Sequence, residues 1–384
     1  MNAITRAIHT AYFYACEKGS IEVEEILRKA GAVDSMWWTA IMAAAKGGSC
    51  ALLGVLLGRL GGNSRINFTD PDGRTPLSYA ASGGHEDVVR LLLLVGADAL
   101  RADQSGSTAL MYASASGHTK VMQLILEHVA SANHINATTP GGDTALIRAA
   151  INGKKEAFSF LVDRKANLEV KSRAHQTAVW ALAKHGHKEV MHFVNQHDYD
   201  NICEEALMGA CEGGHLALAQ DLVDDYDADV CHVDPATRDT PLLLTCRGGH
   251  INVVAWLLAF SVIDVDAYNA TTKRTALMEA ICSSNTSQAL VELLVDAGGV
   301  LGMKDKQGMN ALMMIAAKEG HLGMVEVILP AYRRNRVTLD INDVDLKGRT
   351  AFMHAVLSCN TEAARSLLNA GADPWWIELM NPLL

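Results

Sequence analysis

The stretch DPDGRTPLSYAASGGHEDVVRLLLLVGAD, residues 70–98, reads as a turn, two short helices and a second turn. Thr75 before Pro76 places a side-chain oxygen at a helix cap and a proline in the first turn, where no backbone donor is lost. Ala80 and Ala81 leave room for a close neighbour, and glycine then suits a left-handed cap. Val88, Val89, Leu91, Leu92 and Leu93 follow at helical spacing and bury one face of a second helix. The pattern returns as DQSGSTALMYASASGHTKVMQLIL (103–126), TPGGDTALIRAAINGKKEAFSFLV (139–162) and DKQGMNALMMIAAKEGHLGMVEVIL (305–329). One such copy cannot cover its own apolar face, so the copies must stack to form a continuous core.

These segments resemble ankyrin repeats. A recurring pair sets the register: Gly19-Ser20, Gly48-Ser49, Gly84-His85, Gly117-His118, Gly153-Lys154, Gly186-His187, Gly214-His215, Gly249-His250, Ser284-Asn285, Gly320-His321 and Cys359-Asn360. The spacings of 29, 36, 33, 36, 33, 28, 35, 35, 36 and 39 scatter about the roughly 33 residues of an ankyrin unit. The resemblance implies an all-α ankyrin-repeat solenoid of about eleven helix-turn-helix units with short finger loops. The array is expected over 1–376, with irregular junctions near 31–38 and 197–205 and a C-terminal tail at 377–384. At the second junction Glu205 replaces the cap threonine, and the tenth repeat is expected to hold one extra residue between Gly308 and Ala316. Met111, Met208, Met278, Met313 and Met353 stand where the family has histidine, giving TALM-type motifs that resemble the ankyrin-only proteins of diplomonad protists.

Composition narrows the class. Apolar residues make up 49% and charged residues 20%, which excludes a disordered, highly charged chain. A net charge of -10 repels nucleic acid and anionic lipid as a whole, so neither nucleic acid nor membrane is an expected partner. The longest uncharged apolar run, Val253 to Ile263, is shorter than the roughly 20 residues of a membrane span. Eight cysteines without CxxC pairing and the lack of a signal-like start point to an intracellular, cytoplasmic protein.

No motif carries chemistry. Asp225, Asp227 and Asp229 match the first alternating ligands of an EF-hand, but Val230 and Ala236 occupy the positions that need glycine and glutamate. His185, His187, His192 and His197 cluster in sequence, yet the 187-to-192 step turns about 140° around a helix. Cys16, Cys211 and Cys246 fall in the small-residue positions of first helices and read as core. PGGDTALIRAAINGKK lacks the spacing of a nucleotide loop, and no nucleophile elbow or kinase motif occurs. No catalytic residue, cofactor or metal is expected.

The resemblance implies a non-enzymatic scaffold that binds a protein partner along a concave surface of fingers and first helices. The alternative is a targeting region that recruits a separate signalling enzyme, such as a kinase or a ubiquitin ligase, to its substrate. In the ankyrin frame Lys273, Arg274, Lys306, Lys318, Lys347 and Arg349 fall on that surface in the last three repeats, and Arg274, Lys306, Lys318, Lys347 and Arg349 are taken as the basic binding positions. Two readings stand for them: solvated cations that keep the array soluble, or a basic strip that meets an acidic peptide or protein surface. Lys306 and Arg349 are both expected to be exposed. Trp375 and Trp376 follow the last turn, where they either fold back over the final repeat or form a partner or self-association site. The oligomeric state is left open.

Overall fold

The fold follows from how each finger loop hands the chain to its first helix. In the computed structural model, which describes residues 11–29, 37–59, 66–129, 132–188, 202–318, 322–334 and 340–375, Asp70 folds the finger onto itself. Its Oδ1 accepts the amides of Asp72 at 2.9 Å and Arg74 at 2.8 Å, and its own amide donates to the Arg74 carbonyl at 3.0 Å. The tip turns through Gly73 at φ 84°, a left-handed conformation that glycine adopts without steric cost. Thr75 then caps the helix: the Ser78 amide donates to Thr75 Oγ1 at 3.2 Å, and the Thr75 amide donates to Ser78 Oγ at 2.8 Å. Threonine caps recur at Thr108, Thr144, Thr240, Thr275 and Thr350, and Asn310 serves in the tenth repeat.

After residues 11–17, which are helical, the described helices are α1 (Ile21–Lys29), α2 (Trp37–Lys46), α3 (Cys50–Arg59), α4 (Pro76–Gly83), α5 (Glu86–Leu94), α6 (Ala109–Ser116), α7 (Thr119–His128), α8 (Ala145–Ile151), α9 (Lys155–Asp163) and α10 (Ala178–Lys184). They continue as α11 (Ile202–Gly213), α12 (Leu216–Tyr226), α13 (Pro241–Gly248), α14 (Ile251–Leu257), α15 (Ala276–Cys282), α16 (Gln288–Asp296), α17 (Ala311–Ala316), α18 (Leu322–Arg334), α19 (Ala351–Leu357) and α20 (Thr361–Asn369). Among the described residues the single β feature is an isolated bridge between Tyr268 and Thr275. Contacts divide the chain into two compact units, one of residues 1–182 and 187–198, the other of 183–186 and 199–384.

In the first unit α4 packs on α2 and α6, and α6 packs on α8, while α5 packs on α3 and α7. Small residues allow the first helices to approach: Ala80, Ala81, Ala113, Ala149 and Ala150 have no exposed surface. Second helices supply larger side chains, and burying one such as Leu92 contributes about 2–3 kcal/mol. The second unit repeats the arrangement, α11, α13, α15, α17 and α19 packing in sequence beside α14, α16, α18 and α20. Cys211 and Cys246 take the alanine positions there and are fully buried, and burial pushes the Cys211 thiol up to about 12, so both are inert core residues.

The glycine-histidine pair joins neighbours. His85 leaves its own helix uncapped and directs Nε2 at the Lys46 carbonyl of the preceding repeat, 2.9 Å away. Since a carbonyl only accepts, Nε2 carries the proton. His118 bonds the Ser82 carbonyl at 3.1 Å, and His250 bonds that of Glu212 at 3.1 Å. Each ring lies against the preceding glycine cap: a Cβ added to Gly84 would stand 2.5 Å from His118. Glycine is thus needed at Gly84 both for φ 72° and for the space the next histidine fills.

A charge pair with a buried carboxylate, which the sequence pattern does not announce, joins α1 to α3. Glu24 has no exposed surface and accepts Arg59 Nη1 on both oxygens, at 3.1 and 2.9 Å, and the Tyr12 hydroxyl at 2.9 Å.

Three expectations change. α11 is already helical at Ile202, so Glu205 lies within its first turn and is not its cap. No residue is inserted between Gly308 and Ala316, because Asn310 stands two residues after Gly308 as Thr75 stands two after Gly73; the surplus follows Ala316. The third concerns Trp375, which is 70% exposed and so is not buried over the final repeat; among the described residues only its amide is held, by Asp373 Oδ1 at 2.8 Å. Trp376, the tail 377–384, and most of both irregular junctions lie outside the described residues.

Candidate protein-binding face

The fourth residue after each cap lies on the face shared by first helices and fingers. In the first unit these are Tyr79, Tyr112 and Arg148. The Tyr79 hydroxyl donates to Asp70 Oδ2 at 2.7 Å, and Tyr112 makes the same bond to Asp103. Each aspartate therefore folds its finger through one oxygen and fixes an aromatic ring with the other. Burial, then the Asp103 carboxylate, pushes the Tyr112 phenol up to about 12, so it remains a donor at any physiological pH. Burial alone would raise Asp103, but hydrogen bonds from Ser105, Tyr112 and Ser107 outweigh it and hold the carboxyl low. The Arg74 guanidinium lies 5.3 Å from the centre of the Tyr112 ring. Arg148 pairs with Asp143 at 3.3 Å and donates from Nη2 to Ser107 Oγ at 3.1 Å. Held on rigid hairpins and half-buried, this row of Tyr and Arg has the residue types that anchor protein interfaces.

The second unit treats the same face differently. Asp239 and Glu279 are both 5% exposed and hold Arg247 between them, with contacts of 2.9 and 3.3 Å, while Asn269 Nδ2 donates to Asp239 at 2.8 Å. Arg274 pairs with buried Asp305 at 3.6 Å. Lys318 Nζ donates to the carbonyls of Ile281 at 2.6 Å and Ser283 at 3.1 Å. Arg349 lies 2.7 Å from Asp345, which also accepts His354 Nε2 at 3.0 Å. Burial would raise Asp345, but donors from Arg349, Lys347 and His354 bring it down to about 2. His354 is held below its ordinary value, first by its burial.

The five basic positions read from the sequence therefore separate. Arg274, Lys318 and Arg349 are engaged with buried acceptors, and Arg349 is half-buried instead of exposed. Lys306 and Lys347 are exposed and carry no side-chain partner among the described residues. Asp70/Tyr79, Asp103/Tyr112 and Asp345/His354 were overlooked, although each pair has the same nine-residue spacing. That recurrence is the signal that would have found them.

Among the described residues no group of three or more His, Cys, Asp or Glu side chains is arranged to hold a metal, and no helix is long and apolar enough to cross a membrane. The profile of the family described as Ankyrin repeats (3 copies) matches residues 41–139, 207–300 and 281–375. The chain is similar to the ankyrin repeat and KH domain-containing protein mask-1 of Caenorhabditis elegans, 29% identical over 266 residues, covering 68% of this chain and 10% of that protein. It is also similar to the E3 ubiquitin-protein ligase XBAT33 of Arabidopsis thaliana, 30% identical over 168 residues, covering 42% of this chain and 30% of that protein. The chain thus spans a tenth of the first relative and under a third of the second. With the family profile matched over well over half its length, and with capped hairpins joined by glycine-histidine contacts, the chain belongs to the ankyrin-repeat family.

Proposed function

We propose that this protein is a non-enzymatic interaction scaffold that binds a protein partner on the face formed by its fingers and first helices. The observation that carries the reading is the row Arg74, Tyr79, Tyr112 and Arg148: the tyrosines and Arg148 are tethered by finger side chains and Arg74 lies over the Tyr112 ring, yet each keeps part of its surface in solvent. Such a surface loses little side-chain entropy on binding, which favours affinity from few contacts. All eight cysteines are free, which supports a reducing, cytoplasmic location.

The test is affinity capture with the intact chain and with the double variant Tyr79→Ala/Tyr112→Ala, followed by identification of what is retained. Partners held by the parent and lost by the variant are expected; identical retention removes the face from the account. The similarity to a protein named as a ubiquitin ligase favours a second reading, in which the array brings a substrate to a separate enzyme. Ubiquitin-transfer components among the captured proteins would select it.

A further inference from the structure

The finger cations of the second unit include some that are already paired, exposed Lys304 with Asp343 among them, and others at the tips without a side-chain partner among the described residues. The finger acids Asp305 and Asp345 carry Arg274 and Arg349, and Asp239, just before the Thr240 cap, carries Arg247. What remains at the tips of four consecutive fingers is one exposed cation each: Arg238, Lys273, Lys306 and Lys347. None makes a side-chain hydrogen bond or ion pair among the described residues; Arg238 only lies over the Tyr268 ring, 5.3 Å away. No acidic residue stands on these tips, which read PATR (235–238), ATTK (270–273), KQG (306–308) and LKG (346–348).

Backbone bonds keep the tips in step. The Ala270 amide donates to Thr237 at 2.7 Å, Lys306 to Thr272 at 2.9 Å and Leu346 to Gln307 at 3.1 Å. A finger is two chain segments wide at about 4.8 Å each, so neighbouring finger tips recur every ~10 Å, with the cation two to four residues before the cap in each. Arg238 and Lys273 occupy left-handed positions, φ 57° and 58°, where the fingers at Gly73, Gly106 and Gly142 use glycine. In these two fingers the second unit accepts backbone strain and keeps a charged side chain, while Gly308 and Gly348 hold the same position in the next two.

Resting on the interaction reading above, we infer that these tips form a docking edge for an extended acidic protein segment whose carboxylates recur every third residue. An extended chain advances about 3.3 Å per residue, so every third side chain meets the next tip. A continuous acidic run would leave two of every three carboxylates between cations. Nucleic acid fits less well: single strands are held by aromatic platforms, and the one ring on this edge, Tyr268, already lies under Arg238.

Fluorescence anisotropy with the full chain tests the edge. The probe is a labelled ten-residue peptide with glutamate at positions one, four, seven and ten and serine-proline pairs between. The controls are a peptide of the same composition with its four glutamates contiguous, and a ten-nucleotide oligothymidylate. The spaced peptide should bind about fivefold tighter than the contiguous one. The variant Arg238→Gly/Lys273→Gly should bind it roughly tenfold more weakly, with a shallower salt dependence, as expected for two surface pairs at a few-fold each. That variant should melt no lower than the parent, because glycine fits both left-handed positions; Lys306→Ser/Lys347→Ser should repeat the loss through residues free of strain. Equal binding of the two peptides, binding unchanged in both variants, or tighter binding of the oligonucleotide would overturn the inference. If a captured partner is lost by Tyr79→Ala/Tyr112→Ala but kept by both tip variants, and the spaced peptide shows no preference, this inference fails and the scaffold reading stands. If the peptide behaves as expected and nothing is captured, the edge stands and the scaffold reading fails.

Discussion

The two units use one repeat pattern to present different chemistry. In the first, finger aspartates accept tyrosine hydroxyls, and the finger tips at residues 73, 106 and 142 are glycine. In the second, finger and helix acids hold arginines, and the tips carry cations. Capping, glycine caps and small-residue packing are common to both, because each hairpin needs them to fold. The fourth position after the cap and the residue at the finger tip are free of that requirement, so they can differ from repeat to repeat.

The largest expected effect breaks the charged side of the comparison. Arg247→Met leaves Asp239 and Glu279 buried without their cation, and should cost the second unit about 3 kcal/mol. Urea unfolding read by hydrogen exchange would localise the loss to α13 and α15 and spare the helices of the first unit; a loss below about 1 kcal/mol would show that the network contributes little. The counterpart, Tyr112→Phe, removes one donor from Asp103 while keeping the ring, and should cost about 1–2 kcal/mol in α6 and its finger. Equal costs for the two variants would erase the distinction between the units.

A smaller effect has the opposite sign. Lys273→Gly releases a left-handed residue at the cost of a more flexible unfolded chain, and should stabilise the second unit by roughly 0.5 kcal/mol. Destabilisation would mean that the lysine side chain serves the fold.

The last difference is in pH. Burial depresses His354, so the folded state favours the neutral ring. Its contribution is complete above the ordinary histidine value of 6.5 and is lost as pH falls through the lower folded value. Asp345, held near 2, keeps its charge throughout that window and loses its contribution only below the ordinary 3.8. Once corrected for the intrinsic pH dependence of amide exchange, protection in α19 and α20 should therefore fall between pH 7 and pH 5, while that of α4 to α7 changes little. In His354→Asn the pH dependence should vanish; its persistence would place the titrating group elsewhere.

Much of this architecture is legible in the sequence because the same few constraints repeat. Thr75, Pro76, Gly84 and His85 occupy positions where backbone donors, left-handed φ or a close neighbour leave few choices, and their recurrence in other repeats amplifies that signal. The binding face is less legible. Arg349 and Lys347, two residues apart, read alike as surface cations, but one turns inward to Asp345 and the other outward to solvent. Charge pairs such as Glu24 with Arg59 join residues 35 apart, and no local pattern marks them. Arg238 and Lys273 announce neither their φ nor their exposure, because longer fingers shift them into positions that glycine holds elsewhere.

The central claim is that a protein partner docks on fingers and first helices. Hydrogen-deuterium exchange of the intact chain, with and without a captured partner, tests it most directly. The account predicts added protection in the fingers and in α4, α6 and α8 or in α13, α15, α17 and α19, with the exposed sides of α5, α7, α14 and α16 unchanged. Protection confined to the second helices, with the fingers exchanging as in the free protein, would contradict it.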